Sequence, residues 1–231
     1  MFHWIRDLRR AEARKRPFPP EWESIVQMNV AHYCNLDTVE RTELRALMQV
    51  FLEEKNWEGC GGLELTDEIR LTIAAQACLL LLGLPHNYYR NVESILVYPS
   101  PVVIPERQLG VFERVNGPVE PSGPILGQAF AQGPVILVWD AVLHGARHPE
   151  TGHNVVYHEF AHKLDMLDGF ADGTPPLAGR DQIVEWADVC SREFLRLRGL
   201  AEQGRDRVLS AYYHQDPARR VKRTCHTEIG L

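Results

Sequence analysis

Five consecutive residues, His158-Glu159-Phe160-Ala161-His162, have the types and spacing of a zinc-binding motif. On a helix, residues four apart lie on the same face, one turn above the other. The imidazoles of His158 and His162 can therefore bind one Zn²⁺. Glu159 can then reach the open side of the ion and take a proton from a bound water. The spacing by itself predicts a candidate zinc helix.

The residues around the motif favour this interpretation over a helix that carries two histidines by accident. Val156, Phe160, Leu164 and Leu167 form an apolar stripe that is distinct from the histidine face. The core side and the metal side of the predicted helix therefore do not compete. A β-rich run over 134–139 precedes the helix, which we expect to pack near it.

Other titratable residues near the motif have two interpretations each. Asp165 lies three residues after His162 on roughly the same face, where it could orient a ligand imidazole. Asp165 and Asp168 could equally belong to the turn that ends the helix before Gly169. His144 and His153 precede the motif, and lone histidines are more often surface residues than ligands.

The elements that must position the motif follow from periodicity and from turn residues. Helices are predicted over 21–35, 39–55, 67–82, 151–167 and 180–198, with N-caps at Asp37 for the second and at Thr66 for the third. The runs "SILVYP" (94–99) and "PVILVWD" (134–140) read as buried strands, residues 56–68 as a turn with a short strand-like piece, 116–127 as a loop or hairpin and 168–179 as a loop. The predicted fold is α+β and mostly helical, with a small sheet beside the zinc-site helix. We divide it into a helical subdomain (1–90), a catalytic subdomain (91–218) and a tail (219–231).

Composition excludes several classes of protein. The 231 residues include 31 acidic and 25 basic side chains, a net charge of −6, which argues against a direct nucleic-acid binder. None of the five cysteines forms a Cys-x-x-Cys pair. No apolar run reaches the length of a membrane span and no signal peptide is recognisable, so we expect a cytoplasmic protein. The basic first 16 residues favour a solvated helix over a site for a membrane surface or an acidic partner.

Beyond the five-residue motif, "YHEFAHKLDMLDG" (157–169) resembles the zinc-site helix of the Mlc titration factor A family of bacterial metallopeptidases. The Pro-rich "RPFPPEW", the run "SILVYP" and the run "GPVILVWD" also resemble that family, over residues 10–217. The resemblance implies a gluzincin-like, aminopeptidase-like zinc enzyme that acts on small peptides. In such an enzyme His158 and His162 are ligands, Glu159 is the general base and a downstream glutamate is the third ligand. It also implies an Mlc-type transcriptional repressor of sugar uptake as a partner.

The sequence departs from the family pattern near its end. Residues 212–218, "YYHQDPA", match the approach to the third ligand, and Tyr212 resembles the family tyrosine that stabilises the oxyanion. Arg219 then stands where the family has its glutamate, and a basic tail without apolar periodicity follows. We interpret 219–231 as a disordered tail produced by a shifted reading frame; the alternative is a divergent, functional C-terminus. Nothing in the setting of His226 or Glu228 recommends either as a replacement ligand.

Two functions from different classes follow. The first is a zinc peptidase, impaired if its third ligand is missing. The second is a non-catalytic protein whose scaffold binds a transcriptional repressor. An unrelated helical protein with an accidental motif is a third, weaker interpretation.

Overall fold

The computed structural model describes residues 3–84, 86–100, 127–129, 133–168, 177 and 179–203. Its first part is helical: α1 (His3–Lys15), α2 (Pro20–Asn29), a 3₁₀-helix (Ala31–Asn35), α3 (Thr38–Glu54) and α4 (Asp67–Leu79). The predicted starts of two of these helices are confirmed. The Asp37 carboxylate accepts from the Val39 and Glu40 amides before α3, and Thr66 caps α4 by accepting from the Ile69 amide.

The second part of the chain supplies most of a four-stranded sheet. Its strands are β1 (Asn56–Gly59), β2 (Ser94–Tyr98), β3 (Gly127–Ala129) and β4 (Val135–Val138), in the spatial order β1-β2-β4-β3. Strands β1, β2 and β4 are parallel, and β3 runs antiparallel to β4 at the edge. The buried residues Ile95 and Val97 of β2 pair with Val135 and Leu137 of β4, so one face of the sheet joins the core.

Three more helices follow the sheet: α5 (Trp139–Arg147), α6 (Val155–Asp165) and α7 (Arg180–Glu202). Short 3₁₀-helices lie at Pro149–Thr151 and Met166–Asp168. Helix α6, which carries the histidine motif, packs beside β3 and β4. The prediction of a mostly helical α+β fold with a small sheet beside this helix is confirmed.

The centre of the molecule is α4. Every residue from 71 to 78 is buried, and the helix packs against α2, α3, α5 and α6. A helix that is buried on all sides must be apolar nearly all round. The two polar side chains in this stretch, Thr72 and Gln76, are fully buried and form hydrogen bonds.

The basic first helix is held against α3 by ion pairs. The guanidinium of Arg10 donates to both carboxylate oxygens of Glu54, at 2.6 and 2.8 Å, and Arg14 donates to Glu43 at 2.6 Å. Two of its basic side chains are therefore neutralised within the fold. The opposite face, with Trp4 and Leu8, is exposed, so the prediction of a solvated helix is correct for that face only.

Four predicted elements differ from the structure. The helix expected over 67–82 ends at Leu79. The helix expected over 21–35 is interrupted, because Val30 is extended (φ −112°, ψ 93°) and separates α2 from a 3₁₀-helix. The run 134–140 is a strand only to Val138, and α5, which was not predicted, begins at Trp139. Helix α6 begins at Val155 and not near 151, because Gly152 has a left-handed backbone (φ 70°) that ends the preceding 3₁₀-helix.

Several predictions fall on residues outside the described ranges, including the tail 219–231 and most of the loop 168–179. The division at residue 90 stays a prediction. Strand β1 comes from before that boundary and pairs with β2 from after it. Among the described residues, no helix is both long and apolar enough to cross a bilayer.

Candidate metal centre

Helix α6 presents two different faces. Val156 and Phe160 are fully buried, whereas His158 and His162 are exposed. At about 100° of rotation per residue, each histidine lies on the side of the helix opposite the buried pair. The predicted separation of an apolar stripe from a histidine face is therefore found in the structure.

The two histidines converge on one point. Their Nε2 atoms are 3.2 Å apart, and the ring planes are nearly perpendicular, at 86°. Two nitrogens bound about 2.0–2.1 Å from a tetrahedral zinc ion lie about 3.3–3.4 Å apart. The spacing of the two nitrogens therefore fits a shared zinc ion, and both imidazoles face solvent, from which an ion would enter.

Glu159 lies at the border between these two faces. Its residue is only 5% exposed, although both neighbouring histidines are open to solvent. A residue at this depth is largely shielded from bulk water, and Glu159 directly follows His158 in the helix. That is the position in which a carboxylate can act as a base towards a group held by the histidines.

Lys163 is fully buried one turn after Glu159. Its Nζ donates to the carbonyl oxygen of Gly133, just before β4, at 3.0 Å. Its backbone carbonyl accepts from the side-chain Nδ2 of Asn91 at 2.8 Å. Burial lowers the pKa of Lys163, and the negative charge of Glu159 opposes that shift. Lys163 thus joins α6 to the sheet on the side away from the histidines.

The start of α6 is held by Asn154. Its Oδ1 accepts from the Tyr157 amide at 2.9 Å, and its carbonyl accepts from the His158 amide at 3.0 Å. Helix α5 approaches closely here: a Cβ on Gly145 would lie 2.7 Å from the His153 carbonyl oxygen and 3.0 Å from the Asn154 Cα. Only glycine permits this contact without a shift of the backbone.

Tyr157 lies between Asn154 and the first histidine. It is half-buried, and its ring centroid is 5.9 Å from that of His32 in the 3₁₀-helix after α2. Burial raises the pKa of the Tyr157 phenol to about 12, so it stays protonated at neutral pH.

The other predicted site residues are distributed as follows. Asp165 is the last residue of α6, and Asp168 ends the 3₁₀-helix after it. His144 pairs with His148 at the end of α5, with ring centroids 4.9 Å apart, and His153 lies in the link before Asn154. Within the described part of the chain, no group of three or more His, Cys, Asp or Glu side chains could hold a metal ion. Tyr212, Arg219, His226 and Glu228 lie outside it.

Four residues that hold α6 in place were not predicted from the sequence: Gln76, Gly145, Asn154 and Lys163. Asn154 directly precedes an apolar helical run, which is a capping signal. Lys163 lies seven residues after Val156, on the buried face, where a lysine needs a partner. A glycine inside a helix, such as Gly145, often marks close packing. Nothing in the sequence singles out Gln76.

Comparison with known proteins identifies the family. A sequence model of the family described as glucose-regulated metallo-peptidase M90 matches residues 4–219. The chain belongs to the M90 family. Membership of a metallopeptidase family implies a metal, and the paired imidazoles of α6 fit zinc.

Similar proteins differ in how much of their length is matched. The uncharacterized protein slr2042 of Synechocystis sp. is 34% identical over 224 residues, which cover 93% of this chain and 77% of that protein. Mlc titration factor A of Escherichia fergusonii is 31% identical over 170 residues, 72% of this chain and 60% of that protein. The same-named protein of Serratia proteamaculans is 35% identical over 154 residues, 65% of this chain and 56% of that protein. The match thus spans less than two thirds of either titration factor.

The close approach at Gly145 can be tested by adding one methyl group. Gly145→Ala should lower the free energy of unfolding by about 1–3 kcal/mol, because the new Cβ overlaps the backbone that leads into α6. The measurement is urea denaturation followed by circular dichroism.

Gly199→Ala is the matched control, since a Cβ there would meet no atom within 4 Å. This variant should keep or slightly raise stability, by up to about 1 kcal/mol, because alanine favours a helix. Equal effects of the two substitutions would contradict the assigned contact.

Proposed function

We propose that this M90 protein is a zinc-dependent peptidase in which His158 and His162 bind the ion and Glu159 is the general base. The observation that carries the proposal is the 3.2 Å separation of the two Nε2 atoms on an exposed helix face, with the nearly buried Glu159 next to His158 in the sequence. A histidine pair with a purely structural role would not need this access to solvent.

The residues of α6 divide the work. The imidazoles of His158 and His162 bind the ion through Nε2 and so fix its position. When bound, zinc would supply the positive charge that acidifies a water molecule and polarises a peptide carbonyl. The carboxylate of Glu159 accepts the proton released in the attack and passes it to the leaving amine. Tyr212 stabilises the developing oxyanion in this proposal, by resemblance to the family tyrosine.

A peptide substrate is supported by the edge of the sheet. Among the described residues β3 is one of the two edge strands, and it runs antiparallel to β4 and lies beside α6. An edge strand offers backbone N–H and C=O groups to which an extended peptide can pair. Such pairing would bring an extended peptide alongside α6. Aminopeptidase-like specificity belongs to the proposal through the family resemblance alone.

The third ligand limits the activity that we propose. The described residues supply two histidines, and Arg219 stands where the family resemblance expects a glutamate. The family match also ends at residue 219. An arginine repels a divalent cation and cannot ligate it, so we propose weak zinc binding and little or no peptidase activity for the 231-residue chain.

The ligand assignment predicts the effect of removing either imidazole. His158→Ala and His162→Ala should each lower zinc occupancy by about tenfold or more, because only one protein ligand of the pair remains. Atomic absorption after dialysis measures the bound zinc. His144→Ala and His148→Ala are matched controls from another exposed pair spaced by four residues, and should leave this zinc in place. Unchanged occupancy in both α6 variants would mean that the zinc lies elsewhere.

The base assignment predicts a separation of binding from turnover. Glu159→Gln should retain zinc and lose peptide hydrolysis, by a factor of about 10²–10⁴, in any active form of the protein. The amide has the shape of the carboxylate but cannot accept a proton at neutral pH. The readouts are zinc content and the release of a chromogenic amine from an aminoacyl substrate. Turnover at the wild-type rate would refute the role of Glu159.

If Arg219 replaces the third ligand, restoring a glutamate at that position should produce a gain of function. Replacing 219–231 by a segment that begins Glu-Phe-Phe-Ala should tighten zinc by about 10–100-fold or more and raise activity with it. The same segment beginning Gln-Phe-Phe-Ala is the control, because it lacks only the carboxylate. Tight zinc and activity in the unmodified chain would contradict the proposal that Arg219 replaces a ligand.

A second candidate function is binding of a transcriptional repressor without catalysis. Two similar proteins carry the name Mlc titration factor A, and the incomplete ligand set weakens only the catalytic proposal. A pull-down with purified Mlc tests it. Binding that survives both His158→Ala and His162→Ala supports the second function, and absence of binding by the wild-type chain rejects it.

A further inference from the structure

Helix α4 contacts the start of α6 through the buried side chain of Gln76. The Oε1 of Gln76 accepts a hydrogen bond from Nδ2 of Asn154 at 2.7 Å. Gln76 is fully buried, and it lies 78 residues before Asn154 in the chain. The contact therefore joins the centre of the core to the residue that caps α6.

The side chain of Asn154 uses both ends of its amide. Its Oδ1 accepts from the Tyr157 amide, and its Nδ2 donates to Gln76 and also to the Gly145 carbonyl oxygen, at 3.2 Å. The cap thus has three partners, one each from α4, α5 and α6. All three partners fix the orientation of the Asn154 side-chain amide. If the amide were flipped, the cap would be lost and Oδ1 would face the oxygens of Gln76 and Gly145.

The orientation of Gln76 is fixed by a hydrogen bond to the preceding turn of α4. Its Nε2 donates to the Thr72 carbonyl oxygen at 3.0 Å, which leaves Oε1 directed at Asn154. The Thr72 hydroxyl in turn accepts from Asn29 at 3.0 Å, and the Oδ1 of Asn29 accepts from Arg147. The bond to the Thr72 carbonyl orients the Gln76 amide, and loss of either bond of Gln76 would leave a buried polar group unsatisfied.

The position of His158 depends directly on this cap. His158 lies in the first turn of α6, four residues after Asn154, and its amide is bonded to the Asn154 carbonyl. His162 lies one turn further from the cap. A displacement at Asn154 therefore moves His158 more than His162 and changes the separation of their Nε2 atoms.

We propose that Gln76 is a positioning residue for the zinc site: through Asn154 it holds the first turn of α6 where His158 and His162 converge on one ion. The inference rests on the proposed function, because it assumes that these two histidines bind zinc. It adds a specific determinant of zinc affinity that lies in the core and touches neither imidazole.

The test is the zinc affinity of the full 231-residue chain carrying Gln76→Met. Methionine preserves the length of the side chain but cannot accept from Asn154, so zinc should bind about tenfold more weakly, as when residues that orient ligands are removed. Affinity is measured by competition with a chromophoric chelator, and the melting temperature of the metal-free chain is measured beside it.

Tyr89→Phe separates positioning from loss of stability. The Tyr89 hydroxyl donates to the Ala77 carbonyl at 2.8 Å, so this variant also removes one buried hydrogen bond to α4, at the residue next to Gln76. Phenylalanine keeps the ring that packs against Phe160 and so keeps α6 in place. The variant should therefore lower the melting temperature and leave zinc affinity unchanged. Equal zinc affinity in wild type and Gln76→Met, or equal weakening by Gln76→Met and Tyr89→Phe, would overturn the inference.

Asn154→Asp tests the same hydrogen bond from the side of Asn154. It also keeps the inference testable if the Gln76→Met variant does not fold. Aspartate keeps the oxygen that caps Tyr157 but cannot donate to Gln76, so it too should weaken zinc about tenfold. In the double variant zinc should bind no more weakly than in Asn154→Asp alone, because that substitution already removes the bond to Gln76, together with the bond to the Gly145 carbonyl. Additive losses, or none in Asn154→Asp, would contradict the inference. If His158→Ala binds zinc as tightly as the wild-type chain does, the proposed function itself is rejected.

Discussion

The rotation of α6 about its own axis is the constraint on which the candidate site depends. Phe160 is fully buried, and its ring lies 4.8 Å from that of Tyr89 and 5.7 Å from that of Phe51. These aromatic contacts fix one face of the helix against the core. Because helical residues advance by about 100°, the same contacts determine that His158 and His162 face solvent and that Glu159 lies at the border.

The position of α6 along its axis is fixed by polar contacts near both ends. Asn154 holds the first turn, and near the last turn Lys163 bonds to Gly133 while Asn91 bonds to the Lys163 carbonyl. A buried ammonium is costly unless its hydrogen bonds are made. The lysine therefore ties the buried side of the helix to the start of β4.

Much of this arrangement could be predicted from the sequence, because local patterns determine it. The periodicity of Val156 and Phe160 against His158 and His162 predicted both faces of α6, and the Asp37 and Thr66 caps were recognisable from residue type. Helix α5 was not predicted, since the apolar run of β4 continues into Trp139 without a turn signal. The bond between Gln76 and Asn154 was not predictable either, because it joins residues that only the packing of α4 on α6 brings together.

The location of a bound zinc ion would decide whether α6 carries the metal centre. Crystals of the chain grown with zinc would give an anomalous difference map at the zinc absorption edge. We expect a peak about 2.0–2.1 Å from the Nε2 atoms of both His158 and His162. A zinc peak at another group of side chains, with none between these two nitrogens, would contradict it.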